Sequence, residues 1–317
     1  MTGNEPISNS ATAATPLITV AICTRNRARF LQRAVESVVP QMTGDTELLI
    51  VDNASTDDTA EVAARLAAAH ERVKVWRESQ PGVCAARNAA LAKAGGEYVL
   101  FFDDDQTVEM GWLDAYRRFL LHPPSERVAA VGGGIIPKFE TPPPSWVNPA
   151  NLTMDMGNQP LRLEGVACPG CGNCAFHRAQ TLAVGGFCTR LTRYEESDLT
   201  QQLRAAGLEI WWLSGAPIFH WIPAHRLTVR AMGRITFIDG RSVALLRLRR
   251  IHGRCAKMAY RLGRIAITPF HVLACLLAAM FTLPRHRRQI SVGYLLRSIR
   301  IAGIGWQMLV NWRSSDY

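Results

Sequence analysis

An α/β fold built on a mostly parallel sheet, with helices on both faces, is predicted for this chain by three features of its sequence. Short runs rich in β-branched and aromatic residues alternate with amphipathic stretches in the order βαβαβαβ between Leu17 and Phe102. The runs are apolar almost throughout, as strands buried on both faces must be. Three of them stop at a polar residue, Thr24, Asp52 and Asp103 in turn. Ligands bind at the carboxyl ends of the strands in open α/β sheets.

Taken in order, Leu17 to Cys23 is the first strand, closed by the polar turn Thr24-Arg25-Asn26-Arg27. Arg29 to Val39 has helical spacing, with Phe30, Leu31, Ala34, Val35 and Val38 on one side. Glu47 to Val51 is the second strand and ends in Asp52-Asn53-Ala54-Ser55-Thr56-Asp57, where Ser55 and Thr56 are candidate N-caps for a helix over Asp58 to Ala69. Val73 to Trp76 is a third strand, and Gly82 to Ala94 a helix carrying Arg87-Asn88. The fourth strand, Tyr98 to Phe102, breaks off at Asp103-Asp104-Asp105. Three like charges cannot stay in a core, so they belong at the strand's end. Side chains two apart point the same way, which turns Asp103 and Asp105 toward one ligand and leaves Asp104 to orient the turn. Hard divalent cations take carboxylate oxygens and share themselves with substrate phosphates. The triplet alone reads equally well as an acidic turn; the polar ends of the neighbouring strands favour a metal–diphosphate site.

Further on, Gly111 to Leu121 is a helix and Val128 to Ile136 a strand interrupted by glycines. Pro137 to Gly165 shows little periodicity, and a long irregular stretch in a compact domain is usually a functional loop. The spacing in Cys168-Pro169-Gly170-Cys171-Gly172-Asn173-Cys174 invites a zinc site, but no second ligand pair lies near it. A small-residue turn that lets backbone approach a ligand fits better. Arg193-Tyr194-Glu195-Glu196-Ser197-Asp198-Leu199 opens a helix that runs to Ala206 and stops at Gly207. Acids there suit the helix dipole, yet three exceed what capping needs, and a rigid helix start holds a general base well. Pro217 to Trp221 is strand-like and carries His220, whose neutral imidazole suits a metal shell.

The composition, 48% hydrophobic and 20% charged, is that of an ordered chain and excludes disorder. Residues 1–15 read as a disordered lead with no signal-peptide pattern, which implies a cytoplasmic location and reduced thiols for the eight cysteines. The net charge of +10 lies mostly after Arg226. Within that region Ile265 to Leu283 has no formal charge, and at 1.5 Å per residue it would span roughly 28 Å, just short of a ~30 Å hydrocarbon core. Arg261 and Arg264 precede it and Arg285, Arg287 and Arg288 follow, while Ile290 to Val310 is amphipathic. Basic flanks on both sides favour a helix lying on the cytoplasmic membrane face. A true span, or a helical pair serving dimerisation or the core, stays open, as does the oligomeric state. Residues 226–317 are thus expected to be a helical, membrane-associating region.

The ordered set of Val20 to Arg27, Ile50 to Asp57, Ala86-Arg87-Asn88, Gly96 to Asp105, Cys171 to Arg178, Val184 to Phe187 and Glu195 to Leu199 resembles the family 2 glycosyltransferases. These are inverting enzymes that use nucleotide-sugar donors on a GT-A-type, Rossmann-like fold. The resemblance covers residues 16–225 and implies a nucleotide-sugar-binding half, 16–110, and an acceptor and catalytic half, 111–225. On the donor side it implies Thr24, Arg25, Asp52 (base or ribose), Arg87 (diphosphate), Asp103 and Asp104. Asp103, Asp105 and His220 would hold Mg2+ or Mn2+, with Asp105 the direct ligand. Glu196 would be the catalytic base, with Asn173 and Glu195 toward the acceptor. Glu196 is longer than the family's usual Asp, Cys188 replaces an acid after Gly185-Gly186-Phe187, and Gln201-Gln202-Leu203-Arg204 lacks the Trp of processive synthases. The implied reaction moves a sugar, from UDP by preference, to a hydroxyl of a glycan or lipid-linked acceptor in cell-surface or exopolysaccharide synthesis. Transfer to a polyprenyl phosphate is the alternative. A sugar-phosphate nucleotidyltransferase would need a Gly-rich loop where Thr24 to Arg27 stands. A non-enzymatic membrane or nucleic-acid scaffold would leave the acids without purpose, and no nucleic-acid partner is expected.

Overall fold

The computed structural model describes residues 16–282 and 288–310; the N-terminal lead, Leu283 and the arginines at 285 and 287 lie outside them. The first half repeats strand and helix: β1 (Ile18–Thr24), α1 (Ala28–Val38), β2 (Thr46–Asn53), α2 (Thr59–Ala69), β3 (Val73–Glu78), α3 (Val83–Lys93) and β4 (Tyr98–Phe102). After it come β5 (Gln106–Val108), α4 (Trp112–Leu121), β6 (Val128–Gly132), β7 (Ile135–Phe139), β8 (Leu161–Arg162), β9 (Asn173–His177) and α5 (Arg178–Ala183). Then follow α6 (Glu195–Ala205), β10 (Glu209–Trp212) and β11 (Ile218–Ile222). The main sheet has the order β3-β2-β1-β4-β9-β6-β10-β8, and only β9 and β8 run against the rest. This is the helix-covered, mostly parallel α/β sheet of a GT-A-type fold.

Alternation along the strands builds a core on each face. Ile18, Val20 and Ile22 pack with Leu31 and Val35 of α1, Val62 of α2 and Leu113 of α4. Ala21, Val99 and Phe101 face the other way, onto Ala90 and Leu91 of α3 and Leu199 and Leu203 of α6. Each of the larger side chains, the Ile, Val, Leu and Phe, stabilises by roughly 1.5–3 kcal/mol when fully buried, so the strand ends between the two layers are held rigidly.

Two expectations are corrected. Val128 to Ile136 is two strands in different sheets: at Gly133 and Gly134 the chain leaves the main sheet, and β7 joins β11 and β5 in a small second sheet. Gly133 permits the crossing, since a Cβ there would lie 2.4 Å from the Ala216 carbonyl oxygen. Ser55 and Thr56 do not cap α2. Ser55 Oγ accepts from the Asn26 amide at 3.0 Å and the Thr56 amide donates to Asn26 Oδ1 at 2.8 Å, so both tie the β1 loop to the β2 loop.

The C-terminal region is helical: α7 (Val229–Arg250), α8 (Arg254–Phe281) and α9 (Arg288–Val310). Helix α9 packs along both α7 and α8. Among the described residues only α8 is long and apolar enough to cross a membrane. It leaves Leu262, Ile267, Phe270, Leu273, Leu277, Met280 and Phe281 exposed.

Candidate active site

A cleft of about 510 Å³ opens at the carboxyl ends of β1 and β4. Thr24 and Asp52 are register partners across β1 and β2, and the aspartate triplet follows β4 directly. Within the triplet the roles divide sharply. Asp104 is buried; its Oδ2 accepts from Thr24 Oγ1 at 2.7 Å and its Oδ1 pairs with Arg27 Nη1 at 3.0 Å. Burial pushes its carboxyl up to about 7 despite the Arg27 charge. Asp105 Oδ2 is held by Arg27 Nη1 at 2.6 Å and Arg226 Nη1 at 3.0 Å, and His220 Nε2 lies 3.6 Å from Oδ1. Burial works against its charge, but the neighbouring His220 and Arg27 outweigh it and hold Asp105 below the usual carboxylate range. The second sheet makes this meeting possible: β11 pairs His220 with Gln106 of β5, and the Trp221 amide donates to the Asp105 carbonyl at 2.9 Å.

The opposite wall is the start of α6. Tyr194, just before it, has φ +62°, a left-handed conformation that is costly for a bulky residue. The turn directs Glu195 inward to pair with the guanidinium of Arg87, which also stands 3.5 Å from Asp103 Oδ1. Arg87 is therefore a buried strut between the two walls, 6% exposed. Glu196, half-buried, lines the cleft, and burial, reinforced by the Glu195 charge, pushes its carboxyl up to about 7. A carboxylate with that affinity for protons is a competent base near neutral pH.

Thr24, Arg25, Arg87, Asp103, Asp104, Asp105, Glu195, Glu196 and His220 all line the one cleft. Asp52 sits behind it, 1% exposed, with Oδ1 accepting from the Ser55 amide at 3.1 Å and Oδ2 3.9 Å from Arg77 Nε; its neighbour Asn53 reaches the wall instead. Asn173 is corrected out of the acceptor side. Its Oδ1 accepts from Trp112 Nε1 and the Tyr116 hydroxyl, both at 2.9 Å, and its amide donates to the Gly134 and Ala216 carbonyls. Fully satisfied and buried, it pins the two sheets together. The cysteine-rich turn presses on the site from behind, since a Cβ at Gly172 would come 2.4 Å from Asp103 Oδ2. No residue of the 137–165 stretch lines the cleft. Arg27, Arg193, Tyr194 and Arg226 do line it and were not singled out by sequence. Arg27, two places from Arg25 in the same loop, carried a usable signal; Arg226 did not, because its partner lies 121 residues away.

Among the described residues no group of three or more His, Cys, Asp and Glu side chains could hold a metal ion by itself. What faces the cleft is the smaller set of Asp103 and Asp105, with His220 beside them. A hard cation that shares itself with substrate phosphates needs only one or two carboxylates. The residues fit Mg2+ or Mn2+ on those terms.

The comparisons with known proteins agree with this architecture. The profile described as Glycosyl transferase family 2 matches residues 19–179. A cholesterol galactosyltransferase of Borreliella burgdorferi is 32% identical over 97 residues, 31% of this chain and 27% of that protein. A hyaluronan synthase of Pasteurella multocida is 35% identical over 104 residues, 33% of this chain and 11% of that protein. The chain thus spans well under half the length of these relatives. Among solved structures, the mannosyltransferase PcManGT of Pyrobaculum calidifontis, in complex with GDP-Man and Mn2+, superposes with a TM-score of 0.62 at 18% identity, covering 95% of this chain and 88% of that one. With the family's profile matching just over half of its 317 residues, the chain belongs to glycosyl transferase family 2.

Proposed function

We propose that the enzyme transfers a sugar, with inversion, from a nucleoside-diphosphate sugar to a hydroxyl of a glycan or lipid-linked acceptor. One observation carries this: Glu196 lines the same cleft as the aspartate triplet and its guanidiniums, where burial and the Glu195 charge raise its affinity for a proton. Thr24, Arg25 and Asn53 lie where the nucleoside enters, with Asp52 behind them, and Arg27 and Arg226 stand by the diphosphate. Glu196 accepts the proton of the acceptor hydroxyl while the hydroxyl oxygen bonds to the anomeric carbon. The bond from that carbon to the diphosphate oxygen breaks on the opposite face, and no covalent sugar intermediate is needed. A divalent cation on Asp103 and Asp105 would offset the charge gathering on the leaving diphosphate.

In this reading residues 16–225 carry the transferase. Residues 226–317 hold it on the cytoplasmic face of the membrane, supported by the exposed apolar side of α8 and the arginines before it. Such an enzyme suits polysaccharide or glycolipid assembly at the cell surface.

A panel of UDP-glucose, UDP-galactose, UDP-N-acetylglucosamine and GDP-mannose, with Mn2+ or Mg2+, tests the donor side by thermal stabilisation. At least one should raise the melting temperature in a metal-dependent way, and Asp105→Ala should abolish the response. Glu196→Gln should bind the same donor yet lose transfer. No response from any sugar, or donor binding lost with Glu196→Gln, would sink the assignment.

A further inference from the structure

The strained turn before Glu196 is gripped from outside the catalytic fold. Tyr194 has a left-handed backbone, and the side chains of Tyr194 and Arg193 are both contacted by the C-terminal helices. Arg300 of α9 donates from Nη2 to the Tyr194 hydroxyl at 3.1 Å and lies over the ring, 5.7 Å from its centroid. Asp239 of α7 pairs with the guanidinium of Arg193. The two holders are set side by side by an unusually close helix crossing. A Cβ at Gly240 would lie 2.0 Å from the Arg300 carbonyl oxygen, and one at Gly303 2.2 Å from that of Phe237. Only glycine at both places lets α7 and α9 approach so far, and the register so fixed puts Asp239 and Arg300 on the same turn.

We propose that Asp239 and Arg300 are positioning residues for the transfer step, holding the Arg193–Tyr194 turn so that Glu196 is aimed into the cleft. The helical arm is then part of the catalytic apparatus as well as an attachment. The inference rests on Glu196 being the base.

The test uses the full-length enzyme and the donor that stabilises it most in the panel above, with water as acceptor and release of the nucleoside diphosphate as the readout. Arg300→Gln and Asp239→Asn should each lower kcat on the order of 10-fold to 100-fold, the usual consequence of a slightly misplaced catalytic group. The donor KM should stay within about twofold, since Arg300 and Asp239 lie outside the cleft and the donor is proposed to rest on the loops after β1, β2 and β4 at its opposite wall. Arg300→Lys should recover much of the rate, and Tyr194→Phe, which removes only the hydroxyl that Arg300 binds, should fall in the same direction. In a Glu196→Gln background the Arg300→Gln change should cost nothing further, as expected if it acts through Glu196. Unchanged kcat in Arg300→Gln beside an inert Glu196→Gln overturns the clamp alone. The same holds if the full Arg300→Gln loss persists in the Glu196→Gln background. A wild-type rate in Glu196→Gln overturns the base assignment itself, and the clamp with it.

Discussion

Glu196 sits where opposing influences on one proton meet. Burial and the adjacent Glu195 disfavour its charge, Arg87 and Arg193 favour it, and the balance lies at about 7 instead of the ordinary 4.5. A base must be ionised to act, so turnover should rise with pH through about 7 and fall about tenfold per unit below it. The same shift acts oppositely on stability. The folded state holds this proton more tightly than the unfolded chain, so its contribution is full below pH 4.5 and is lost as pH rises through about 7. A kcat/KM profile that is flat from about pH 5.5 to 8 would overturn the raised proton affinity of the base. At this scale the acids were legible in the sequence, because three carboxylates cannot share a strand interior and must mark its end. The cations that answer them were less so. Arg226 meets Asp105 only because a second sheet folds β11 back onto the β4 end, and no local pattern encodes that meeting.

Asn173 shows what a sequence motif conceals at the scale of elements. It lies in a stretch rich in Gly and Cys that looks like a ligand loop, yet its side chain joins α4, β9 and the chain crossing at Gly134. Removing it takes four hydrogen bonds from the core and leaves the Trp112 indole N–H and the Ala216 carbonyl without their side-chain partner, while the Tyr116 hydroxyl keeps the Asn173 carbonyl and the Gly134 carbonyl keeps the Ile218 amide. Asn173→Ala should therefore cost about 3 kcal/mol or more in chemical denaturation, at roughly 1 kcal/mol per bond with further cost for groups left unsatisfied. Donor KM should be unchanged while the variant stays folded. A stable variant with a weakened acceptor KM would restore the acceptor-side role. Strand and helix order through β4 was readable from periodicity, since those elements are local and bury themselves by alternation. The division of β6 from β7 was not. Glycines signalled a break, but which sheet each half joins depends on the Gly133–Ala216 approach, made by residues far apart in sequence. Three-residue β5 is too short for any period to show.

For the whole molecule, the exposed side of α8 separates a transferase that is held to a surface from one that dimerises through the same face. The basic skew and the uncharged run of 265–283 were visible in the sequence; that α7 and α9 grip the start of α6 was not, because the grip is three side-chain contacts, Arg193–Asp239, Tyr194–Arg300 and Asp198–Arg249. The outward side of α8 carries Phe270 at 72% and Phe281 at 83% exposure, so charging them removes almost no packing from the fold. Each would nonetheless forfeit roughly 1.5–3 kcal/mol if it is buried in lipid. Phe270→Glu with Phe281→Glu should therefore leave the melting temperature unchanged and cut co-sedimentation with phosphatidylglycerol vesicles at least about tenfold. Raising salt should weaken binding further, because the arginines act through a screened potential. A wild-type enzyme that ignores such vesicles and elutes as a dimer, with the double variant monomeric, would assign the face to a second copy of the chain. Surface attachment and dimerisation differ in their ionic signature: a lipid surface answers to the basic flank of α8, whereas a self-complementary apolar contact brings two basic arms together and strengthens as salt screens them.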